Sequence, residues 1–236
     1  MDYLAHLQSA APSSVAIPVY LSETYWWAYV HPWAVRFFER QWLVNLILWG
    51  NLARLRDAAL DELGPIISGR TLQVACVYGD FSTRLASRIA PGGWLDIVDV
   101  LPVQLRNLRQ KLAPSAPFTL YQRDSAALGF EIASYDQAFI FFLLHEQPKD
   151  IRRQTLREAL RVVKPGGKIV IVDYRMPHRL HPLRYLFPPI LRALEPYALD
   201  FWRHDIAEWL PEHVKPTQIR RQPFYGGLYQ KVVVTA

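Results

Sequence analysis

The chain has 236 residues, 51% of them apolar, enough for one domain with a full-sized core and an N-terminal extension. A formal charge of +6 favours an anionic partner, but Lys and Arg are spread along the chain instead of forming one stripe, which argues against nucleic acid. The lone Cys76 excludes an internal disulfide and fits a reducing compartment.

Residues 1–19 read as irregular and mobile, without the basic start and sustained apolar core of a secretory signal. From Tyr20 the composition shifts, and five of the eight tryptophans, Trp26, Trp27, Trp33, Trp42 and Trp49, fall before residue 50. His31-Pro32 can open a helix, because proline is tolerated in the first turn. Phe38, Trp42, Leu46 and Trp49 then form one stripe, with Arg36, Glu39, Arg40 and Asn45 largely off it. That stripe either packs on the domain or forms a lid over an apolar substrate, with Tyr25, Trp26, Trp27 and Tyr29 at its mouth; the two readings are compatible. Gly50 kinks the pattern, and Leu52, Leu55, Ala59 and Leu63 resume it until Gly64-Pro65 ends it. Residues 1–64 are therefore read as a helical extension or lid, and residues 65–236 as the main domain.

The organising stretch is 71–86. Leu72, Val74, Cys76 and Val77 suit a parallel strand covered on both faces, and Phe81, Leu85 and Ile89 then recur at helical spacing. A strand feeding a helix through Gly79 aims backbone N–H groups and the helix dipole at a ligand. Trp94–Val100 is the second strand, ending in Asp99, a carboxylate placed to accept both ribose hydroxyls of a nucleoside or else to cap the next helix. Pro102–Leu112 reads as a helix and Phe118–Gln122 as the third strand. Arg123-Asp124-Ser125-Ala126 follows, where Asp124 by itself reads as an N-cap. The apolar run 135–144 is a fourth strand leading to His145-Glu146-Gln147-Pro148. A helix over Lys149–Val163, a Lys164-Pro165-Gly166-Gly167 turn and a fifth strand over Lys168–Tyr174 complete the series.

Beyond Asp173, five prolines between 174 and 197 make poor material for a long helix. They suit a loop and short helices capping the sheet over 175–215. The basic side chains there either snorkel toward lipid phosphates while Leu183, Leu186, Phe187, Ile190 and Leu191 enter the membrane interface, or the segment is an inward-facing substrate cap. Ile219–Phe224 and Leu228–Thr235 form a closing hairpin. The most apolar runs, 42–49 and 138–144, are shorter than the roughly twenty residues a spanning helix needs. Strand and helix alternating five times imply an α/β, doubly wound, mostly parallel sheet with ligands at the strands' carboxyl ends, around Tyr78, Asp99, Asp124, His145 and Asp173.

The stretch Leu72-Gln73-Val74-Ala75-Cys76-Val77-Tyr78-Gly79-Asp80-Phe81-Ser82 resembles the first motif of class I S-adenosylmethionine-dependent methyltransferases, especially the ubiquinone/menaquinone C-methyltransferases. Ala75, Gly79, Asp80, Phe81 and Ser82 fit. Gln73 stands in place of an acid, Val77 in place of glycine and Tyr78 in place of a small residue. The Val-Tyr-Gly-Asp signature and the Trp/Tyr-rich stretch upstream resemble the rhodoquinone biosynthesis methyltransferase-like family over nearly the whole chain. The Lys-Pro-Gly-Gly turn is a second match.

The resemblance implies a Rossmann-like seven-stranded sheet and the conversion of ubiquinone to rhodoquinone, with a ring methoxy group replaced by an amino group. It implies S-adenosylmethionine held by Tyr78, Gly79, Asp99, Val100, Asp124, Ser125 and Phe142, with Tyr78 and His145 catalytic. It also implies manganese as a Lewis acid at the quinone carbonyl. His145, Glu146 and Asp173 are the candidate ligands if strands four and five are neighbours; His145 is otherwise a substrate contact or general base. A cytoplasmic protein, peripheral on the inner membrane, is expected. An ordinary quinone methyltransferase and a non-catalytic binding protein are the competing readings.

Overall fold

A computed structural model describes residues 15–25, 32–215 and 218–236. The expectations for Trp26, Trp27, Tyr29 and His31, and for most of 1–19, lie outside them. Four helices come first: α1 (Val19–Thr24), α2 (Pro32–Phe38), α3 (Gln41–Ile47) and α4 (Leu52–Leu60). Then come β1 (Arg70–Val74), α5 (Phe81–Arg88), β2 (Trp94–Asp99), α6 (Pro102–Lys111), β3 (Phe118–Gln122), β4 (Tyr135–Phe141), α7 (Lys149–Val162) and β5 (Val163–Tyr174). The chain ends with α8 (Leu183–Leu194), α9 (Ala198–Arg203), β6 (Ile219–Phe224) and β7 (Tyr229–Thr235).

The sheet has seven strands in the order β3-β2-β1-β4-β5-β7-β6. The first five run parallel, and β7 pairs antiparallel with both β5 and β6. Strand order reverses between β1 and β4, where sheets of this kind leave a crevice at the strands' carboxyl ends. The central strands are apolar on both faces because flanking helices cover them, and Leu72, Val74, Leu95, Ile97, Ala138, Ile140 and Ile169 are all buried.

Four expectations change. The first strand stops at Val74, so Cys76 and Val77 belong to the loop; Ala75 turns the backbone at φ 70°, which an apolar run does not reveal. No helix separates β3 from β4, so the alternation is broken once. The N-terminal stripe is cut at Glu39-Arg40 and again at Trp49 and Gly50, both at positive φ. It is also not buried: Trp42, Leu46 and Trp49 are 59%, 65% and 48% exposed. Finally, 183–194 is a single helix despite Pro188 and Pro189 inside it. Each interior proline costs roughly 3 kcal/mol, and burial of Leu183, Phe187 and Leu191 at i, i+4 and i+8 offsets that cost.

Candidate functional site

A cavity of about 510 Å³ opens at the carboxyl ends of the parallel strands, within the size range of small-molecule sites. Tyr78, Asp99, Val100, Asp124, Ser125, Phe142, His145 and Glu146 line it. Of the residues singled out from sequence, Gly79 and Asp173 do not.

One end is built on the loop after β1. The Gln73 amide donates to Ala75 O at 2.9 Å and Ser82 Oγ at 2.8 Å, so this residue stitches the loop to α5 instead of facing a ligand. Cys76 N donates to Asp99 Oδ2 and Leu101 N to Asp99 Oδ1, both at 2.8 Å. Burial pushes the Asp99 carboxyl up to about 6, against the lowering effect of these bonds. Each oxygen thus holds one backbone donor and keeps a lone pair for another, which suits the two hydroxyls of a ribose. Asp124 Oδ1 accepts from Ala126 N at 2.8 Å in an Asx-type turn. Its carboxylate therefore both shapes the turn and borders the cavity. The Ser125 hydroxyl is engaged behind the wall, with Thr155 Oγ1 at 3.0 Å and the Gln147 amide at 2.9 Å, so its contribution to the cavity is the backbone.

Gly79 adopts φ 84°, a left-handed conformation that favours glycine. Its N–H donates to Glu39 Oε1 at 3.0 Å, and its carbonyl accepts from Lys111 Nζ at 2.6 Å. Glu39 also accepts from Asn107 Nδ2 at 2.6 Å and pairs with Lys111. The amide expected to face a cofactor is therefore held by the N-terminal extension. Tyr78 lies beside this clamp. Its ring stacks on Phe38 with centroids 6.2 Å apart and 24° between planes, and its hydroxyl accepts from Gln104 Nε2 at 2.8 Å. Burial holds the phenol above its ordinary pKa, so it is a neutral hydroxyl at physiological pH.

The other end is carried by the turn after β4. His145 Nδ1 lies 2.7 Å from Asp173 Oδ1. Burial alone would lower the imidazole, but the Asp173, Glu195 and Glu146 carboxylates outweigh it and push it up to about 9. With that shift the ring is charged at neutral pH, which suits a proton donor. Rings of Phe142 and Tyr174 pack edge-on against it, with centroids at 6.0 and 4.7 Å.

The three expected metal ligands do not fit a metal. Asp173 is fully buried, and its oxygens accept from Leu144 N, His145 N and Tyr174 N as well as facing His145 Nδ1. It therefore braces the turn from behind. His145 Nε2 and Glu146 Oε1, 3.8 Å apart, are the two that reach the cavity. Among the described residues, no group of three His, Cys, Asp or Glu is placed to hold a metal ion.

Sequence reasoning missed several cavity residues. Tyr20 of α1 borders the Asp99–Asp124 end, and Glu195, just past α8, borders the His145 end with a carboxyl whose Oε2 is buried and whose pKa burial raises. Arg152 is wholly buried and donates to Leu144 O, Gln147 O and Tyr197 O while pairing with Asp200 at 3.0 Å. It fixes both the His145 turn and the cap. An arginine within α7 carries no local mark of that role; its i−4 and i+4 neighbours, Pro148 and Leu156, offer it no polar side chain. Tyr25, expected at a mouth, is instead fully buried beside Leu21 and Leu101.

Residues 71–167 match a family model described as a methyltransferase domain. The ubiquinone/menaquinone biosynthesis C-methyltransferase UbiE of Ectopseudomonas mendocina (strain ymp) is 30% identical over 163 residues, covering 67% of this chain and 60% of that protein. The demethylmenaquinone methyltransferase of Staphylococcus aureus (strain JH9) is 28% identical over 135 residues, covering 57% of this chain and 55% of that one. The chain thus spans 55–60% of the length of these curated relatives. Among solved structures, the N-methyltransferase NodS from Bradyrhizobium japonicum WM9 in complex with S-adenosyl-L-homocysteine has a TM-score of 0.53 at 15% identity, covering 77% of this chain and 83% of that one. Human N-acetylserotonin methyltransferase in complex with S-adenosylmethionine has a TM-score of 0.61 at 14% identity, covering 93% and 60%. The fold is the Rossmann-like methyltransferase fold.

Proposed function

We propose that the chain is an S-adenosylmethionine-dependent transferase acting on a ubiquinone-type quinone, and that it exchanges a ring methoxy group for an amino group, the step that yields rhodoquinone. The observation that carries this reading is Tyr78, a phenol in the cofactor loop whose ring is stacked on Phe38 and whose hydroxyl is oriented by Gln104. Methyltransferases that the chain resembles carry a small residue there. The relatives, which are quinone methyltransferases by name, support a quinone as the substrate class.

In this reading Asp99 accepts the ribose hydroxyls, while Asp124, Val100 and Tyr20 border the base. S-adenosylmethionine, when bound, offers both a methyl carbon and an amino nitrogen. The Tyr78 ring takes up space in the loop and its hydroxyl is a neutral hydrogen-bonding group beside the amino acid portion. In the exchange a C–N bond forms at the ring carbon, the C–O bond to the methoxy group breaks, and methanol leaves with a proton taken from the amine. Release of the nitrogen from its donor carbon would balance as an internal redox step, in which that carbon would give two electrons and two protons to the quinone, leaving the hydroquinone, and water would complete the carbon as a 2-oxo acid. His145, protonated and oriented by Asp173, is the acid placed to donate toward a quinone oxygen or the departing methoxy group. The donor set of His145, Glu146 and Asp173 does not fit manganese.

An ordinary quinone methyltransferase is the second reading, favoured by the relatives' names and by the retained Gly79 and Asp99. Mass spectrometry of a short-tail ubiquinone incubated with the protein and S-adenosylmethionine tests both. An amino-for-methoxy product supports the proposal, an added methyl supports the second reading, and unchanged quinone contradicts both.

A further inference from the structure

Two exposed apolar stripes flank the cavity. On α3 and its end, Trp42, Leu46 and Trp49 are exposed on one side, while Leu43, Val44 and Ile47 line the cavity on the other. On α8, Leu186, Ile190 and Leu194 recur every four residues at 60%, 49% and 47% exposure, beside the buried stripe of Leu183, Phe187 and Leu191. The stripes meet, since the Trp49 and Phe187 rings lie 5.9 Å apart. Ile47, Ile190 and Leu194 both line the cavity and face outward, so the apolar wall runs without a polar rim from interior to surface.

Charge says what covers this face. Residues 40–50 and 178–194 contain no Asp or Glu, and Arg40, Arg179 and Arg192 are exposed within these segments. Glu39, at the border, is turned inward onto Gly79 and Lys111. Exposed Trp and Leu with interspersed Arg, and no acid, match the interfacial zone of an anionic bilayer, where the aromatic rings sit at headgroup level and the guanidinium groups reach phosphates. Among the described residues no helix is long and apolar enough to cross a membrane.

We propose that α3 and α8 together form a docking face for anionic lipid bilayers, and that the gap between them is the portal through which a lipid-borne substrate reaches the cavity sideways. The docking half stands on exposure and charge alone; the portal half rests on the proposed reading of the cavity as a quinone site.

The full chain is floated with vesicles of phosphatidylcholine alone and of phosphatidylcholine with phosphatidylglycerol, at low and high salt. Variants Trp42→Ser/Leu46→Ser and Leu186→Ser are compared, residues that are exposed and do not line the cavity. Thermal melting shows that they fold. The expected result is flotation on anionic vesicles that weakens with salt, with partitioning reduced about tenfold in each variant. Absence of wild-type flotation at low salt, or equal flotation of the variants, overturns the docking face. A wild-type dimer that the variants dissolve, seen by light scattering, also overturns it, because the face then joins two copies. The portal is tested by turnover. Variants that handle detergent-dispersed short-tail quinone normally but lose turnover of vesicle-borne quinone support it, and equal turnover of both contradicts it. Absence of turnover with either substrate in the wild type contradicts the quinone reading instead, and leaves the flotation result standing.

Discussion

His145 Nδ1 sits 2.7 Å from Asp173 Oδ1, and the same carboxylate accepts the His145 and Leu144 amides. One buried acid thus leads the Glu195 and Glu146 carboxylates in charging the imidazole, and by itself fixes the path of the turn that carries it. With a folded-state pKa of about 9, above the ordinary value near 6.5, His145 contributes stability fully present below about pH 6.5 and lost as pH rises through 9. Turnover that uses the imidazolium as an acid falls over the same rise. Proton NMR of the imidazole should titrate near 9 in the wild type and move down toward the ordinary histidine range in Asp173→Asn. A wild-type ring already neutral at pH 7 would contradict the assignment.

Asp99 works in the opposite direction at the other end. Its carboxylate must be ionised to accept two hydroxyls, and burial raises its pKa to about 6. Affinity for S-adenosylhomocysteine should therefore fall as pH drops through 6. Asp99→Asn should flatten that dependence, and Asp99→Ala should weaken binding by about 1–3 kcal/mol at pH 7.5, the cost of leaving polar groups unpaired. Calorimetry across pH 5–8 measures both; unchanged affinity in Asp99→Ala removes the ribose role.

Arg152 holds three carbonyls and one carboxylate from a wholly buried position. Arg152→Leu strands those acceptors, and a loss of at least about 3 kcal/mol is expected from urea denaturation. Arg152→Lys should recover only part, because one ammonium cannot span the positions that a planar guanidinium reaches. Full recovery by lysine would show that charge, not geometry, matters at this site.

Tyr78→Phe keeps the ring on Phe38 and should leave cofactor affinity nearly intact while cutting turnover by about 10²-fold, the usual worth of a positioned proton-transfer group. Gln104→Leu, which removes the amide that orients the hydroxyl, should lower the rate by a smaller factor without changing the fold. Steady-state kinetics with thermal melting checks both. If Tyr78→Phe turns over at the wild-type rate, only the bulk of the ring matters.

How much could be read in the sequence depended on whether a feature is local. The strand at Phe118–Gln122 and the acids Asp99 and Asp124 follow from apolar runs and the polar residues that end them, and the strand at Ile219–Phe224 follows from the Tyr225-Gly226-Gly227 turn that closes its hairpin. The end of β1 did not, because Cys76 and Val77 continue the apolar run while the backbone has already turned at Ala75. The prolines of α8 pointed to a broken segment, yet packing of Leu183, Phe187 and Leu191 holds the helix. Pairings across the chain left no local trace: Glu39 with Gly79, Phe38 with Tyr78, Arg152 with Tyr197. Asp173 was read as a metal ligand at the site, but it lies behind the cavity wall with its oxygens spent on His145 and three backbone amides, which only the fold reveals.

The central claim is that Tyr78 marks a cavity where the amino nitrogen, and not the methyl carbon, of S-adenosylmethionine reaches the quinone. Parallel reactions with S-adenosylmethionine labelled either at the amino nitrogen or at the methyl carbon, followed by mass spectrometry of the quinone, test it most directly. The account predicts a product that carries the nitrogen label in place of a methoxy group and no methyl label. A product carrying the methyl label, with both methoxy groups intact, would contradict it.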